Sequence, residues 1–263
     1  QTGVVFLTYR ATSEVDAIAA RACSADPLYD FTASDGIRHT MWTVSTSDIA
    51  ALVEAFGRIP ALYIADGHHR AASAARARAT LRARGESTVD ADTFVAVAFP
   101  DSQLKILPYN RIVKDLNGHT PEAFLAALRA KVHVAPGSPT PTEANHVSMF
   151  LADAWYTFAL PESPAGTPRS EILAVAVLQR EVLTPILGIG DVRADKRIDF
   201  VGGARGTAAL EAAVTSGRAA VAFSMYPVSV DDLMAVSDAD GIMPPKSTWF
   251  EPKLRDGLLV HTI

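Results

Sequence analysis

Short apolar runs alternate along the chain with stretches where apolar residues recur every third or fourth position, the two periods that mark strands and amphipathic helices. Val4–Tyr9, His39–Val44, Ala61–Ala65, Thr93–Phe99, Ile198–Val201 and Ala219–Met225 read as strands. His146–Ala152 and Trp155–Leu160 read as a hairpin around Asp153-Ala154. Helices are predicted over Ser13–Ala25 with Ser13 as N-cap, from a Ser47 cap through Phe56 to Gly57, and over Ala71–Arg84 ahead of Gly85. Further helices are predicted from Pro121 to Lys131, over Ile172–Leu187 with a bend at Pro185, and over Ala208–Ser216. Ser229 and Asp232 form a capping-box pattern for Val230–Ala239. Asp30–Gly36 reads as a polar loop and Leu258–Ile263 as a terminal strand.

Strands and helices are interspersed without strict βαβ regularity, which predicts a mixed α/β or α+β protein. The Pro-rich stretch 135–145 is the expected boundary, giving units over 1–134 and 146–263. With 263 residues, 49% of them hydrophobic, the chain can bury one large core or two smaller ones. A net charge of −5 argues against nucleic acid or an acidic membrane as the main partner. No apolar run has the length of a membrane span. The single cysteine, Cys23, excludes an intrachain disulfide, fits a reducing cytoplasm, and reads as a small buried residue of a helix. The chain opens Gln1-Thr2-Gly3-Val4 without a methionine, from which a fragment lacking an N-terminal segment is expected.

The richest chemistry lies where the run Leu62-Tyr63-Ile64-Ala65 ends in Asp66-Gly67-His68-His69-Arg70 ahead of a helix. A strand, turn and helix in that order place polar groups beside the free N–H groups of a helix N-terminus, which favour anions. Gly67 allows close approach of a ligand. Asp66 can hold a metal or take a proton, His68 and His69 can donate to phosphate or act as acid and base, and Arg70 offers a planar fork for phosphate oxygens. Lys246-Ser247-Thr248, stiffened by Pro244-Pro245 and followed by Trp249-Phe250-Glu251, suits a nucleotide or an acidic substrate, or is simply a loop packed by its aromatics. Arg111, in Tyr109-Asn110-Arg111, can reach a phosphate or pair with Asp115. Gly202–Gly206 reads better as a tight turn than as a phosphate loop, since it lacks a Walker lysine and a Rossmann spacing. His39, His119, His133, His146 and His261 are scattered without zinc-site spacing.

The block Tyr63–Arg70 resembles the hallmark of a bacterial family catalogued as domain of unknown function 1015. The resemblance continues through Phe99-Pro100, Lys105–Arg111, Ile198–Gly203, Ala222–Pro227 and Met243–Lys253, and so runs over essentially the whole chain. The Asp-Gly-His-His-Arg turn is also similar to that of free serine kinases of the ParB/sulfiredoxin superfamily. A position that carries cysteine in sulfiredoxins is His68 here, which separates this chain from them.

The resemblance implies a ParB/sulfiredoxin-like nucleotide-binding core plus a second α/β lobe. It implies a nucleotide-dependent kinase of free serine or a similar small hydroxy acid, using ATP or ADP with Mg²⁺ and open to homo-oligomerisation. Asp66, His68 and His69 would be catalytic, with Asp66 also the metal ligand. Gly67 and Arg70, with the two histidines, would form the phosphate cradle; Arg111, Lys246, Ser247 and Thr248, on their own chemistry, are further candidates for binding the nucleotide. Members of the family usually carry a further upstream segment with a Lys/Arg-His-Glu cluster; if its Glu is the base that activates the acceptor hydroxyl, this chain alone holds only part of the site. The alternative is a nucleotide-binding regulatory switch without small-molecule turnover.

Overall fold

The computed structural model describes residues 3–86 and 88–262. The chain is mixed α/β and divides into two compact units, Gln1–Leu104 together with Lys253–Ile263, and Lys105–Pro252.

The first unit runs β1 (Val5–Tyr9), α1 (Ser13–Ala22), β2 (Tyr29–Thr32), β3 (Arg38–Met41), α2 (Thr46–Gly57), β4 (Tyr63–Asp66), α3 (His68–Ala83) and β5 (Ala96–Pro100). Its three-stranded sheet has the order β4-β1-β5. The apolar strand β1 pairs antiparallel with β4 and parallel with β5, so it sits at the centre. Val15 and Ile18 of α1 and Ala55 of α2 pack with Tyr9 beneath it. Each fully buried Val or Ile contributes roughly 1.5–3 kcal/mol. Thr12 and Ser45 cap α1 and α2, their hydroxyls accepting from the N–H of Val15 and Asp48.

The second unit runs β6 (Lys105–Leu107), β7 (Tyr109–Val113), α4 (Pro121–Arg129), β8 (Val134–Pro136), β9 (His146–Leu151), β10 (Ala154–Ala159), α5 (Arg169–Ile172), α6 (Ala174–Leu178), β11 (Ile198–Gly202), α7 (Ala208–Thr215), β12 (Val221–Met225), α8 (Val230–Asp238) and β13 (Trp249–Glu251). A six-stranded antiparallel sheet, ordered β11-β7-β12-β9-β10-β8, is its backbone. Side chains alternate across it as strand geometry requires. Val113, Met149, Leu151 and Phe223 face the large core with Phe124 and Leu128 of α4 and Leu178 of α6. Their neighbours Ile112, Phe150 and Ala222 face Leu210 and Ala213 of α7. The β9–β10 hairpin turns through Ala152 and Asp153, both at positive φ (46° and 59°), the two-residue turn whose twist matches the strands. β13 pairs with β6 as a separate ribbon.

Several expectations are corrected. The division falls at Leu104/Lys105 and not at 135–145, because β8 and β9, on either side of that Pro-rich loop, both pair with β10. Asp30–Gly36 is not all loop: β2 and β3 form a hairpin in which Arg38 and Thr40 hydrogen-bond the Asp30 carboxylate. The caps are Thr12 and Ser45 instead of Ser13 and Ser47, neighbouring hydroxyls being interchangeable in pattern but not in backbone geometry. Ile172–Leu187 is no single helix. Leu173 is extended between α5 and α6, and the chain then widens over Gln179–Leu183, where the Thr184 N–H reaches the Gln179 carbonyl. Among the described residues no strand forms from Leu258 onward, and the last strand is β13. Cys23 is exposed, because α1 turns only Val15 and Ile18 fully inward.

Candidate functional site

β4 ends at Asp66, and the chain turns into α3 through Gly67 alone. Gly67 is buried and left-handed (φ 94°, ψ 23°), a conformation other residues adopt only with strain. A Cβ there would lie 3.1 Å from Arg70 Nε and 3.3 Å from Val5 Cα, so glycine is needed for space as well as for conformation. α3 begins at His68, three residues before the predicted start, which puts both histidines and Arg70 in its first turn. First-turn N–H groups have no acceptor inside a helix. Here, among the described residues, no side chain caps them, and no acidic residue stands in the first turn. α1, α2, α4, α7 and α8, by contrast, all carry an acid there. The positive end of the α3 dipole is therefore open to an incoming anion.

The Arg70 side chain folds back over Gly3 and Gly67. Its Nη2 donates to Asp66 Oδ2 at 3.2 Å, and its Nη1 lies 3.5 Å from Asp256 Oδ1. Both carboxylates are more than 60 % exposed, so these pairs contribute little to stability and yield readily to a better anion. Asp256 was not singled out from the sequence; its only signal is the Asp256-Gly257 dipeptide, a common turn. An open cleft of ≈ 420 Å³ adjoins the turn, lined by Arg70, His69 and Ser73 on one side and by Ala74, Ala77, Ala91 and Thr93 further in. That volume falls in the range of small-molecule sites. His69 lines the cleft whereas His68, one position earlier on the helix, is not among its walls. The two imidazoles thus do not both line this cleft.

Among the described residues no group of three or more His, Cys, Asp or Glu is placed to hold a metal ion. Asp66 still suits Mg²⁺, which commonly takes one or two carboxylates together with the phosphate oxygens of its ligand.

The remaining predicted residues lie in the second unit. Arg111 of β7 is buried and does not pair with Asp115, which binds Arg197 instead. It donates from Nη1 to the Tyr109 carbonyl at 2.6 Å and from Nη2 to the Lys246 carbonyl at 3.2 Å. Lys246 is exposed, Ser247 buried and Thr248 half-buried. Trp249 and Phe250 are taken up by packing rather than left to stack on a base. Trp249 lies edge-on to Tyr109 and donates to Glu251, and Phe250 is buried. Gly202 and Gly203 are explained by the same packing: a Cβ would meet the Trp249 ring at 2.4 Å and Pro108 at 2.7 Å.

Fold and turn together define a mixed α/β protein whose first unit presents an uncapped helix N-terminus directly behind a strand. The chain belongs to the family described as protein of unknown function (DUF1015), which it matches over residues 1–182. No curated protein matches it. Solved structures show distant likeness. A conserved hypothetical protein from Pyrococcus furiosus is 16% identical at a TM-score of 0.38, over 72% of this chain and 69% of that one. A free serine kinase variant in complex with AMP is 13% identical at 0.36, over 95% and 88%. A complex with ADP is likewise 13% identical at 0.36, over 94% and 84%. Likeness at this level says nothing about the site. No helix among the described residues is long and apolar enough to cross a membrane.

Proposed function

We propose that the protein is a nucleotide-dependent phosphotransferase that acts on free serine or a similar small hydroxy acid, with a ParB/sulfiredoxin-like first unit. The observation that carries this reading is the open N-terminus of α3, set behind a left-handed glycine, with Arg70 and a cleft beside it. Phosphoryl transfer asks a protein chiefly for positioned positive charge and a carboxylate near the acceptor. The first-turn N–H groups, Arg70 and His69 supply the donors for ATP or ADP phosphates. Asp66 is the carboxylate, as the likeness of the turn to that of free serine kinases implies. The acceptor hydroxyl oxygen bonds to the terminal phosphorus, the bond from that phosphorus to the bridging oxygen breaks, and the hydroxyl proton passes to Asp66. Mg²⁺, if bound, would be held by Asp66 and would supply charge neutralisation on the phosphates.

Asp66→Ala tests the assignment. Turnover should fall by orders of magnitude while the melting temperature stays put, because Asp66 is exposed and its pairing with Arg70 is weak. An Asp66→Ala protein as active as the parent would remove Asp66 from the mechanism.

One observation favours the rival reading, a regulatory switch. Asp256 lies 3.5 Å from Arg70, so a phosphate that pairs with Arg70 competes with a residue of the C-terminal segment. A protein built for that would bind nucleotide, change its self-association, and transfer nothing to serine.

A further inference from the structure

We propose that Arg111 and Lys246 form a second site, in the Lys105–Pro252 unit, for a small oxyanion: a carboxylate or a phosphate group. The proposal does not depend on the phosphotransfer reading of the turn.

Arg111 is 2 % exposed. Burial draws its pKa down to about 10, which still leaves it charged at neutral pH. Among the described residues no carboxylate pairs with it. A buried cation without a counter-charge is costly, and proteins seldom keep one unless something pairs with it. Its donors are only partly used. Nη1 is tied to the Tyr109 carbonyl, Nη2 makes the longer bond to the Lys246 carbonyl, and the buried Nε has no partner at all.

A second cation converges on the same aromatics. The Arg111 guanidinium lies 5.6 Å from the Phe200 ring centre. Lys246 Nζ lies 6.0 Å from that centre and 5.5 Å from the centre of Tyr109. Ring faces offer partial relief to a cation, but they do not neutralise two. Lys246 also holds a left-handed backbone (φ 54°) directly after two prolines, a strained conformation for a side chain of its size. That strain aims its carbonyl at Arg111. The carbonyl thereby stands where one oxygen of an anion would. An oxyanion that displaces it takes Nη2 and the orphan Nε as a side-on pair, the geometry in which guanidinium binds carboxylate and phosphate best. Lys246 Nζ then closes over it from the exposed side.

The test is side-chain ¹H–¹⁵N spectroscopy of the full chain, in which the assigned Arg111 Nε–H signal is followed against glycolate and against inorganic phosphate at constant ionic strength. A saturable shift is expected, and Lys246→Gln should weaken the apparent affinity about tenfold with the melting temperature unchanged. Because Lys246 is exposed, that variant folds even if changes at Arg111 do not. Saturation by glycolate alone identifies a carboxylate site and by phosphate alone a phosphate site, and either supports the proposal, as does saturation by both. No shift with either anion, a shift that chloride reproduces, or unaltered affinity in Lys246→Gln would overturn it and leave Arg111 a clamp on the 243–248 loop.

Discussion

Gly67 carries two separate demands, and they can be measured apart. Left-handed backbone costs a non-glycine residue about 1–2 kcal/mol, and a Cβ at this position also meets Val5 backbone, which cannot give way, at 3.3 Å. Gly36 is a control: it too is left-handed (φ 81°), but a Cβ there meets nothing. Gly67→Ala should therefore lower the melting temperature more than Gly36→Ala, and should weaken nucleotide binding by displacing Arg70. Equal losses in thermal unfolding would mean that the close approach to Val5 and Arg70 is unimportant. The residues of this turn were legible in the sequence because they are consecutive and their chemistry is local. Arg111 was legible only as a basic residue after a strand. Its burial depends on the pairing of β7 with β11 and β12, and its hold on the Lys246 carbonyl spans 135 positions, neither of which a local pattern contains.

At the scale of the element, α8 shows how far a cap can be read in advance. The Ser229-Asp232 box forms as predicted, with the Asp232 N–H donating to Ser229 Oγ at 3.0 Å and the Ser229 N–H to Asp232 Oδ2 at 3.2 Å. The sequence could not show that Arg169, far off in the chain, also binds Asp232. Burial pushes the Asp232 pKa up, but the hydrogen bonds from Ser229 and Arg169 outweigh it and hold the carboxyl below its ordinary value. A carboxyl lowered on folding stabilises fully above its unfolded pKa and loses that contribution as pH falls through the folded one. Ser229→Ala should cost about 1 kcal/mol at neutral pH. The stability gap between the parent and Asp232→Asn should narrow as the pH drops below about 4, as read by urea denaturation at a series of pH values. A gap that held constant into acid would show that the Asp232 charge contributes nothing. Elements with strong periodicity and a visible cap were found, among them β1, α4, β9, β10 and β12. Those missed include β2, β8 and β13, which are short, and β7, whose Asn110 and Arg111 find partners far along the chain.

Across the whole molecule the two units differ in how deeply they are packed. Among the described residues the twelve largest fully buried side chains all belong to the Lys105–Pro252 unit. The exposed large apolar residues, Leu28, Phe31, Ile49 and Val53 among them, fall almost entirely in the other. Sparse packing gives low local stability. Hydrogen exchange should therefore proceed first in α1, α2 and β4 and last in β7, β9 and β12, and uniform protection would contradict this division. The mixed α/β class was legible from the interspersed patterns. The division at Leu104/Lys105 was not, since proline content marks a loop without saying whether the strands beyond it share a sheet. The central claim is chemical, and ³¹P NMR tests it most directly: the full-length protein with Mg²⁺, ATP or ADP in turn and L-serine, beside Asp66→Ala, after calorimetry has confirmed that nucleotide binds. The account predicts a phosphomonoester resonance that requires both serine and Asp66. Bound nucleotide with no such resonance, in spectra that serine leaves unchanged, would contradict it.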